Sequence, residues 1–152
     1  MAEVTLRNGT SADVEALYAL DILCFEKPFR FDFRSMRKYV THPEAIVLVA
    51  EVDGEIRGFI VVNPTRRKAL HSAYVTTLDV HPEFRRHGIA RMLVAEAERH
   101  AAEAGAVTIQ LHVFTGNDSA IEFYESLGYE RLLLTEDFYA TQLHAWTYFK
   151  SL

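Results

Sequence analysis

Residues 78–90 read LDVHPEFRRHGIA, and this stretch decides the fold. A β-branched, apolar segment ends at Val80, a His-Pro step breaks it, and a basic turn at residues 85–87 leads through Gly88 into a helix. Apolar residues then recur every four positions until Gly105 ends the helix. Because a helix start exposes free N–H groups and the positive end of the dipole, the turn predicts a phosphate site.

Outward from this turn, alternating and β-branched stretches predict seven strands near 4–7, 46–52, 56–63, 71–80, 107–113, 130–134 and 143–149. Helical spacing predicts four helices at 14–25, 33–40, 89–104 and 118–127. The first of these would bury one apolar face, made of Val14, Leu17, Tyr18, Ile22 and Phe25. Asp53-Gly54 is a hairpin signal, and residues 137–139 fall between the last two strands. This order predicts an α/β (α+β) fold, a mixed sheet with helices on both faces.

Composition limits the classes of function. The 152 residues suit one domain, 1–152, and a net charge of -5 with a pI near 5.8 disfavours a nucleic-acid partner. Cys24 is the only cysteine, and the histidines lack metal-ligand spacing, so we expect no disulfide and no metal. No apolar run approaches the roughly 20 residues of a membrane span, and the N-terminus lacks a signal-peptide pattern. We therefore expect a cytoplasmic protein without a membrane partner.

A second motif lies about thirty residues further along. Residues 111–129 read LHVFTGNDSAIEFYESLGY, in which a strand leads through Asn117 into a helix closed by Gly128. Together the two stretches resemble the GCN5-related N-acetyltransferases (GNAT), whose patterns are Arg/Gln-x-x-Gly-x-Gly/Ala and Asn-x-x-Ala-x-x-Phe-Tyr-x-x-x-Gly-Phe. The nearest resemblance is to protein N-terminal acetyltransferases of the ribosomal-protein and NatE types.

The resemblance implies the GNAT fold, with a mostly antiparallel sheet of about seven strands and about four helices. It also implies that acetyl-CoA, used as a cosubstrate without a metal, binds in a V-shaped gap between the strands ending at Val80 and Val113. The Val80 N–H would face the thioester oxygen, and Tyr124 would lie beside the sulfur. The implied cofactor-binding residues are Leu78, Asp79, Val80, Arg85, Arg86, His87, Gly88, Ile89, Ala90, Arg91, Asn117 and Tyr124.

The NatE type supplies the expectations for the acceptor side. It reads Leu-His-Val where this chain has His112, and it has a Tyr eleven residues before the first motif Arg, here Tyr74. Its aromatic substrate loop and paired tyrosines correspond to Pro28, Phe29, Phe31, Phe138 and Tyr139, with Phe138 replacing the first Tyr of the pair. These five residues are therefore the expected acceptor-binding residues.

Acetyl transfer needs a neutral amine, an oxyanion site and a proton for the departing thiolate. We expect His112 and Tyr74 to orient a water that removes the amine proton, with Tyr124 as the general acid. Asp79 is a rival base. Each residue also has a purely structural interpretation, as a hydrogen-bonded strand His, a core Tyr or a solvated carboxylate.

The expected function is transfer of an acetyl group to the α-amine of a protein or peptide N-terminus by direct attack in a ternary complex. Two alternatives stay open: a small-amine acetyltransferase, and a non-catalytic acyl-CoA-binding module. The sequence is also compatible with a homodimer. Residues 66–68, Arg-Arg-Lys, are expected to form a solvated hairpin end.

Overall fold

The computed structural model describes residues 2–67 and 70–152. Its helices are α1 Val14–Cys24, α2 Phe33–Val40, α3 Ile89–Glu103 and α4 Asp118–Ser126, with short 3-10 turns at Ser11–Asp13 and Pro82–Phe84. Its strands are β1 Val4–Asn8, β2 Ile46–Val52, β3 Glu55–Arg67, β4 Leu70–Val80, β5 Thr108–Phe114, β6 Glu130–Ala140 and β7 Leu143–Ser151.

The strands form one sheet in the order β1-β2-β3-β4-β5-β7-β6. Five of the six neighbouring pairs are antiparallel, and β4 and β5 alone are parallel. A parallel connection needs a crossover, and α3 supplies it between β4 and β5. The predicted mixed, mostly antiparallel sheet with four helices is confirmed.

Alternation along β3 explains why helices cover both faces of the sheet. Phe59 and Val61 pack with α1 and α2, whereas Ile60 and Val62 pack with α3. Because successive strand side chains point to opposite faces, a continuous apolar run in a central strand serves two cores at once. The site described below lies in the same sheet, where β4 and β5 separate.

The burial of α1 differs from the predicted apolar face. Leu17 is fully buried as predicted, but Ile22 is 39% exposed and Asp21 is completely buried. Helical periodicity alone places Asp21 beside Leu17 and Leu20 on the inner face, yet a carboxyl group is rarely buried without a partner. Its partner comes from β4, which the sequence pattern of one helix does not reveal.

Two strands are longer than predicted. β3 continues past Asn63 through Pro64, which lies beyond the last β2 pairing partner, Val62. The proline therefore leaves no ladder hydrogen bond unmade on that edge. β6 continues to Ala140, so residues 137–139 lie within a strand and not between strands; an irregular register and the positive φ of Asp137 accommodate them.

The hairpin predicted at Asp53-Gly54 is present in the structure. Asp53 and Gly54 have φ values of 53° and 78°, as the predicted hairpin requires.

The side chains of the basic tip at residues 66–68 lie outside the described part of the chain. Within residues 2–67 and 70–152 no helix is both long enough and apolar enough to cross a membrane.

Gly58 generates a test of how closely α3 packs on the sheet. A Cβ at this position would lie 2.9 Å from Ile89 Cγ2 and 3.1 Å from the Asp79 carbonyl oxygen. We therefore expect Gly58→Ala to lower the free energy of unfolding by about 1–3 kcal/mol, measured by urea denaturation. Gly54→Asn, in an open turn with a positive φ that Asn tolerates, is the control. Equal stability of the two variants would contradict this packing.

Candidate active site

The parallel contact between β4 and β5 is short. Residues 72–74 pair with residues 108–110, after which β4 follows β3 to Val80 and β5 follows β7 to Phe114. The facing edges of the two strands are left without a strand partner beyond that point. A cavity of about 1,400 Å³ opens there, larger than most small-molecule sites. The gap can therefore hold a long ligand together with a second molecule.

The main chain at the end of β4 directs a donor into this gap. The His81 N–H donates to the Arg57 carbonyl of β3 at 2.8 Å. Because successive N–H groups of a strand point to opposite edges, the Val80 N–H points away from β3 and into the gap. The Val80 carbonyl oxygen, on the same edge, accepts from Arg85 Nε at 3.1 Å and Cys24 Sγ at 3.3 Å.

The basic turn after β4 forms an anion site. Arg86 and Gly88 have φ values of 66° and 81°, and Gly88 caps α3. The first helical N–H to find a partner is that of Met92, which donates to the Gly88 carbonyl at 3.0 Å, so the N–H groups of residues 89–91 are free. Free N–H groups, a helix dipole and the guanidinium groups of Arg85 and Arg86 together favour a phosphate ligand.

Most of the predicted cofactor-binding residues line the cavity. The exceptions are Asp79, whose side chain is 1% exposed and buried behind the strand, and His87, which is exposed in the turn. Asn117 accepts from the Ala120 N–H at 3.1 Å and so caps α4 at the rim of the gap. The residues that line it are Leu78, Val80, Arg85, Arg86, Gly88, Ile89, Ala90, Arg91, Asn117 and Tyr124.

Tyr74 and His112 meet across the gap. Tyr74 Oη lies 2.7 Å from His112 Nδ1, and the Phe138 ring stacks on the imidazole with centroids 4.0 Å apart and planes 9° from parallel. Burial lowers the pKa of His112 from its ordinary 6.5, and burial, followed by the influence of Tyr39, raises the pKa of Tyr74 to about 12. Both side chains are therefore uncharged at neutral pH.

Aromatic rings enclose this end of the cavity. The Phe29 ring lies 4.9 Å from Tyr139 and 5.0 Å from Phe114, and Phe31 lies 5.4 Å from Tyr39. We call the group Phe29, Phe31, Tyr39, Phe138 and Tyr139 the aromatic wall. The five predicted acceptor residues, Pro28, Phe29, Phe31, Phe138 and Tyr139, all line the cavity.

Tyr124 lies on α4 and is 8% exposed, with its side chain lining the cavity. Burial is the main cause that raises its pKa, and the nearby acidic groups Asp79, Tyr139 and Tyr74 raise it further. Its hydroxyl group therefore stays protonated at neutral pH and can donate a hydrogen bond to a ligand in the gap.

The polar residues of the site that escaped the sequence reasoning include Tyr39, Asn63 and Thr76. Asn63 Nδ2 donates to the Tyr39 carbonyl at 3.0 Å, and Thr76 Oγ1 donates to Asn63 Oδ1. Thr76 lies two residues after Tyr74 on the same strand, so strand alternation could have placed it beside Tyr74. Tyr39 and Asn63 carry no comparable signal, because their position depends on how α2 packs against β3.

No Asp or Glu belongs to the described residues that line the cavity. The described lining residues thus offer no carboxylate to pair with a polycationic ligand, and the His112 imidazole is the side chain among them that can accept a proton near neutral pH. In the described part of the chain no group of three or more His, Cys, Asp or Glu residues is placed to hold a metal ion.

A scan against protein families finds one match, to the acetyltransferase (GNAT) family model, over residues 14–129. The chain belongs to the GNAT family. The match spans the helices of both faces and runs from α1 past α4, so it includes the basic turn and Tyr124. The GNAT resemblance expected from the two sequence motifs is confirmed.

Solved structures with the same fold include protein N-acetyltransferases. The Escherichia coli ribosomal-protein-S18-alanine N-acetyltransferase is 19% identical with a TM-score of 0.85, covering 98% of this chain and 94% of that one. Arabidopsis thaliana NAA60 in complex with acetyl-CoA is 19% identical, with a TM-score of 0.86 over 99% of each chain. Arabidopsis thaliana Naa50 in complex with the bisubstrate analogue CoA-Ac-MVNAL is 21% identical, with a TM-score of 0.85 over 98% and 99%. At these identities the likeness shows a shared GNAT fold.

The stacking of Phe138 on His112 leads to a prediction about the imidazole. Because burial is what lowers the His112 pKa, we expect Phe138→Ala to raise it toward 6.5, as followed by NMR titration of the imidazole protons. Phe33→Ala is the matched control, since that ring packs on Tyr18 and lies on α2. An unchanged His112 pKa in the Phe138 variant would show that this ring is not the source of the burial.

Proposed function

We propose that this GNAT chain transfers the acetyl group of acetyl-CoA to the α-amino group of a peptide or protein N-terminus, by direct attack within a ternary complex. The observation that carries the proposal is the uncharged, hydrogen-bonded Tyr74–His112 pair, enclosed by the aromatic wall. The pair faces the same gap whose other end is the anion site at α3.

Three features of the gap support acetyl-CoA as the cosubstrate. The free N–H groups at residues 89–91 and the guanidinium groups of Arg85 and Arg86 would hold the pyrophosphate. The free edge of β4 offers peptide groups to the pantetheine arm. The Val80 N–H points into the gap, so it would be available as a donor to the thioester oxygen, which gains charge as the amine attacks.

The protonation chemistry favours an N-terminal amine. An α-amino group has a pKa of about 7.7–8.0, so about a tenth of it is neutral near pH 7, whereas a lysine at about 10.4 is neutral in only a few parts per ten thousand. A weak base therefore suffices for the α-amine. The cavity holds such a base in His112 and offers no lining carboxylate among its described residues.

The Tyr74–His112 bond leaves a basic atom available in either tautomer. When Nδ1–H donates to Tyr74, the other ring nitrogen, Nε2, is free to accept a proton. When the Tyr74 hydroxyl donates to Nδ1, the phenol oxygen can accept a proton from a water while its own proton moves to the imidazole. The amine proton thus ends on His112 as the N–C bond forms and the C–S bond breaks.

Tyr124 is suited to stabilise the departing thiolate. Its raised pKa keeps the hydroxyl protonated, so it can donate a hydrogen bond to sulfur. A thiol has a pKa of about 8.5, so complete transfer of the phenol proton is uphill. The contribution of Tyr124 is therefore mainly that hydrogen bond, with solvent supplying the final proton.

The aromatic wall supports an acceptor with an uncharged, apolar first side chain. Aromatic rings bury apolar groups well, and no lining carboxylate is present in the described residues to compensate a polyamine or aminoglycoside. A peptide analogue that begins with methionine is the ligand of the similar Naa50 structure. The wall is thus a reason to prefer a peptide acceptor over a small polycation.

A panel of acceptors with a thiol-release assay tests the proposal. We expect turnover with peptides that carry a free α-amine and an apolar first residue, and none with the same peptides blocked at the N-terminus. Spermidine and free amino acids serve as the small-amine arm. Turnover confined to that arm would favour a small-molecule enzyme, and tight CoA binding without turnover of any amine would favour a binding module.

The relay assignment predicts the behaviour of two variants. His112→Ala and Tyr74→Phe should each lower kcat by about 10²-fold or more while changing the KM for acetyl-CoA little, because general-base catalysis contributes about 10²–10⁴. Since the neutral imidazole is the active form, wild-type kcat, which reports groups of the bound complex, should fall as pH drops below the lowered His112 pKa. His144→Ala, on β7, is the control. Wild-type kcat in both relay variants would show that the pair is structural.

A further inference from the structure

Two carboxyl groups that no step of the proposed reaction uses are buried together. Asp21 on α1 is 0% exposed and Asp79 on β4 is 1% exposed, and the two carboxyl groups lie close enough for Asp21 to raise the pKa of Asp79. They join elements far apart in sequence, on the side of β4 that faces α1. A pair of buried carboxyl groups without a cation bonded to either is rare, since two adjacent anions would repel and each would lose its hydration.

The hydrogen bonds around the pair leave one oxygen of each carboxyl without a donor. Thr77 Oγ1 donates to Asp79 Oδ1 at 2.6 Å, and the Phe31 N–H donates to Asp21 Oδ2 at 2.9 Å. The two remaining oxygens, Asp21 Oδ1 and Asp79 Oδ2, have no protein donor. A single proton held between the two carboxyl groups would satisfy both oxygens and remove one of the two charges.

We propose that Asp21 and Asp79 share one proton, and that the resulting hydrogen bond fastens residues 25–32, the acceptor loop, to the strand that carries Val80. Asp21 reaches the loop through the Phe31 N–H. Asp79 adjoins Val80, whose N–H points into the gap. The pair consists of positioning residues: neither touches the reacting atoms, and their effect on acceptor binding rests on the proposed function.

The surroundings of the pair agree with one retained proton. Burial, and then Asp21, raise the pKa of Asp79 well above its ordinary 3.8, while Thr77 and Arg85 lower it. Cys24, packed beside the pair, has a pKa raised to about 11 and is a neutral thiol. Tyr124, whose pKa is raised first by burial and then by Asp79, is also neutral. Arg85 is thus the charged group among these neighbours, and its side chain is exposed.

Amide substitutions test the shared proton, because an Asn supplies a permanent N–H in its place. In Asp21→Asn the amide oxygen can accept from Phe31 while the amide nitrogen donates to Asp79. We expect this variant, and Asp79→Asn, to keep a Tm within about 3 °C of wild type. In the double variant neither group is a carboxylate, so one amide has to turn over and lose the hydrogen bond donated by Phe31 or Thr77. Its Tm should fall about 5 °C or more below the sum of the single effects.

A double variant as stable as the single variants would overturn the proposal, because it would show that the buried site does not need one donor facing one acceptor. Infrared spectroscopy reads the proton directly in folded protein. Wild type at neutral pH should show the carbonyl band of a protonated carboxyl, and both single variants should lose it. A wild-type spectrum without that band would also overturn the proposal.

The dependence of stability on pH gives a second signature. A carboxyl whose folded pKa is raised keeps in the folded state a proton that the unfolded chain releases, so wild-type stability should fall as pH rises above about 4 toward the folded pKa. In Asp21→Asn the remaining Asp79 carboxylate has an amide donor and no neighbouring carboxyl. The Tm of Asp21→Asn minus the Tm of wild type should therefore increase as pH rises. A difference that does not change with pH would contradict the shared proton.

The positioning role has its own kinetic readout. Asp21→Ala, which loses the Phe31 anchor, should raise the acceptor KM by roughly tenfold with little change in the KM for acetyl-CoA, and Asp21→Asn should restore it. Glu15→Ala, an exposed acidic position on α1, is the control. An unchanged acceptor KM in Asp21→Ala would overturn the positioning role. If no peptide is turned over at all, the proposed function fails, whereas the Tm and infrared results still decide the shared proton.

Discussion

The separation of β4 from β5 is the constraint on which the rest of the site depends. After three paired residues each strand continues with its other neighbour, β3 or β7, so the two facing edges have no strand to bond. Unpaired peptide groups are costly when buried, and a sheet interior can tolerate them only where water or a ligand reaches them. The opening is therefore a place where the backbone itself becomes a binding surface, with Val80 and the first turn of α3 along its border.

This arrangement also divides the chemistry between main chain and side chains. The anion site uses N–H groups whose positions follow from the turn at Arg86 and Gly88, and its charge comes from exposed arginines. The other end uses side chains, Tyr74 and His112, whose uncharged state follows from burial under Phe138. Burial shifts the pKa values of these groups without an ion pair. The imidazole therefore stays neutral and can accept a proton as a base.

The sequence predicted the parts of the site that depend on short-range signals. The turn at residues 85–88, the helix start after Asn117 and the hairpin at Asp53 are local, and each is predicted from a few adjacent residues. His112 and its partner Tyr74 were both expected from the family resemblance. The seven strands and four helices followed from periodicity, although the ends of β3 and β6 did not.

The missed parts depend on contacts between distant segments. The burial of Asp21 is understandable only beside Asp79, and Asn63 matters because α2 presents the Tyr39 carbonyl to it. The extension of β6 needs an irregular pairing with β7, which no local pattern indicates. Polar residues that hydrogen-bond to each other across the fold produce no periodic pattern in the sequence of either segment.

The aromatic wall is drawn from segments that are widely separated along the chain: the loop before α2, α2 itself and the end of β6. The anion site, by contrast, comes almost entirely from one continuous stretch of main chain. Substitutions can therefore change one segment of the aromatic wall at a time, and with it the acceptor that fits. The anion site, which suits the shared cosubstrate acetyl-CoA, need not change. A family with one cosubstrate and many acceptors is the outcome that such a division of labour favours.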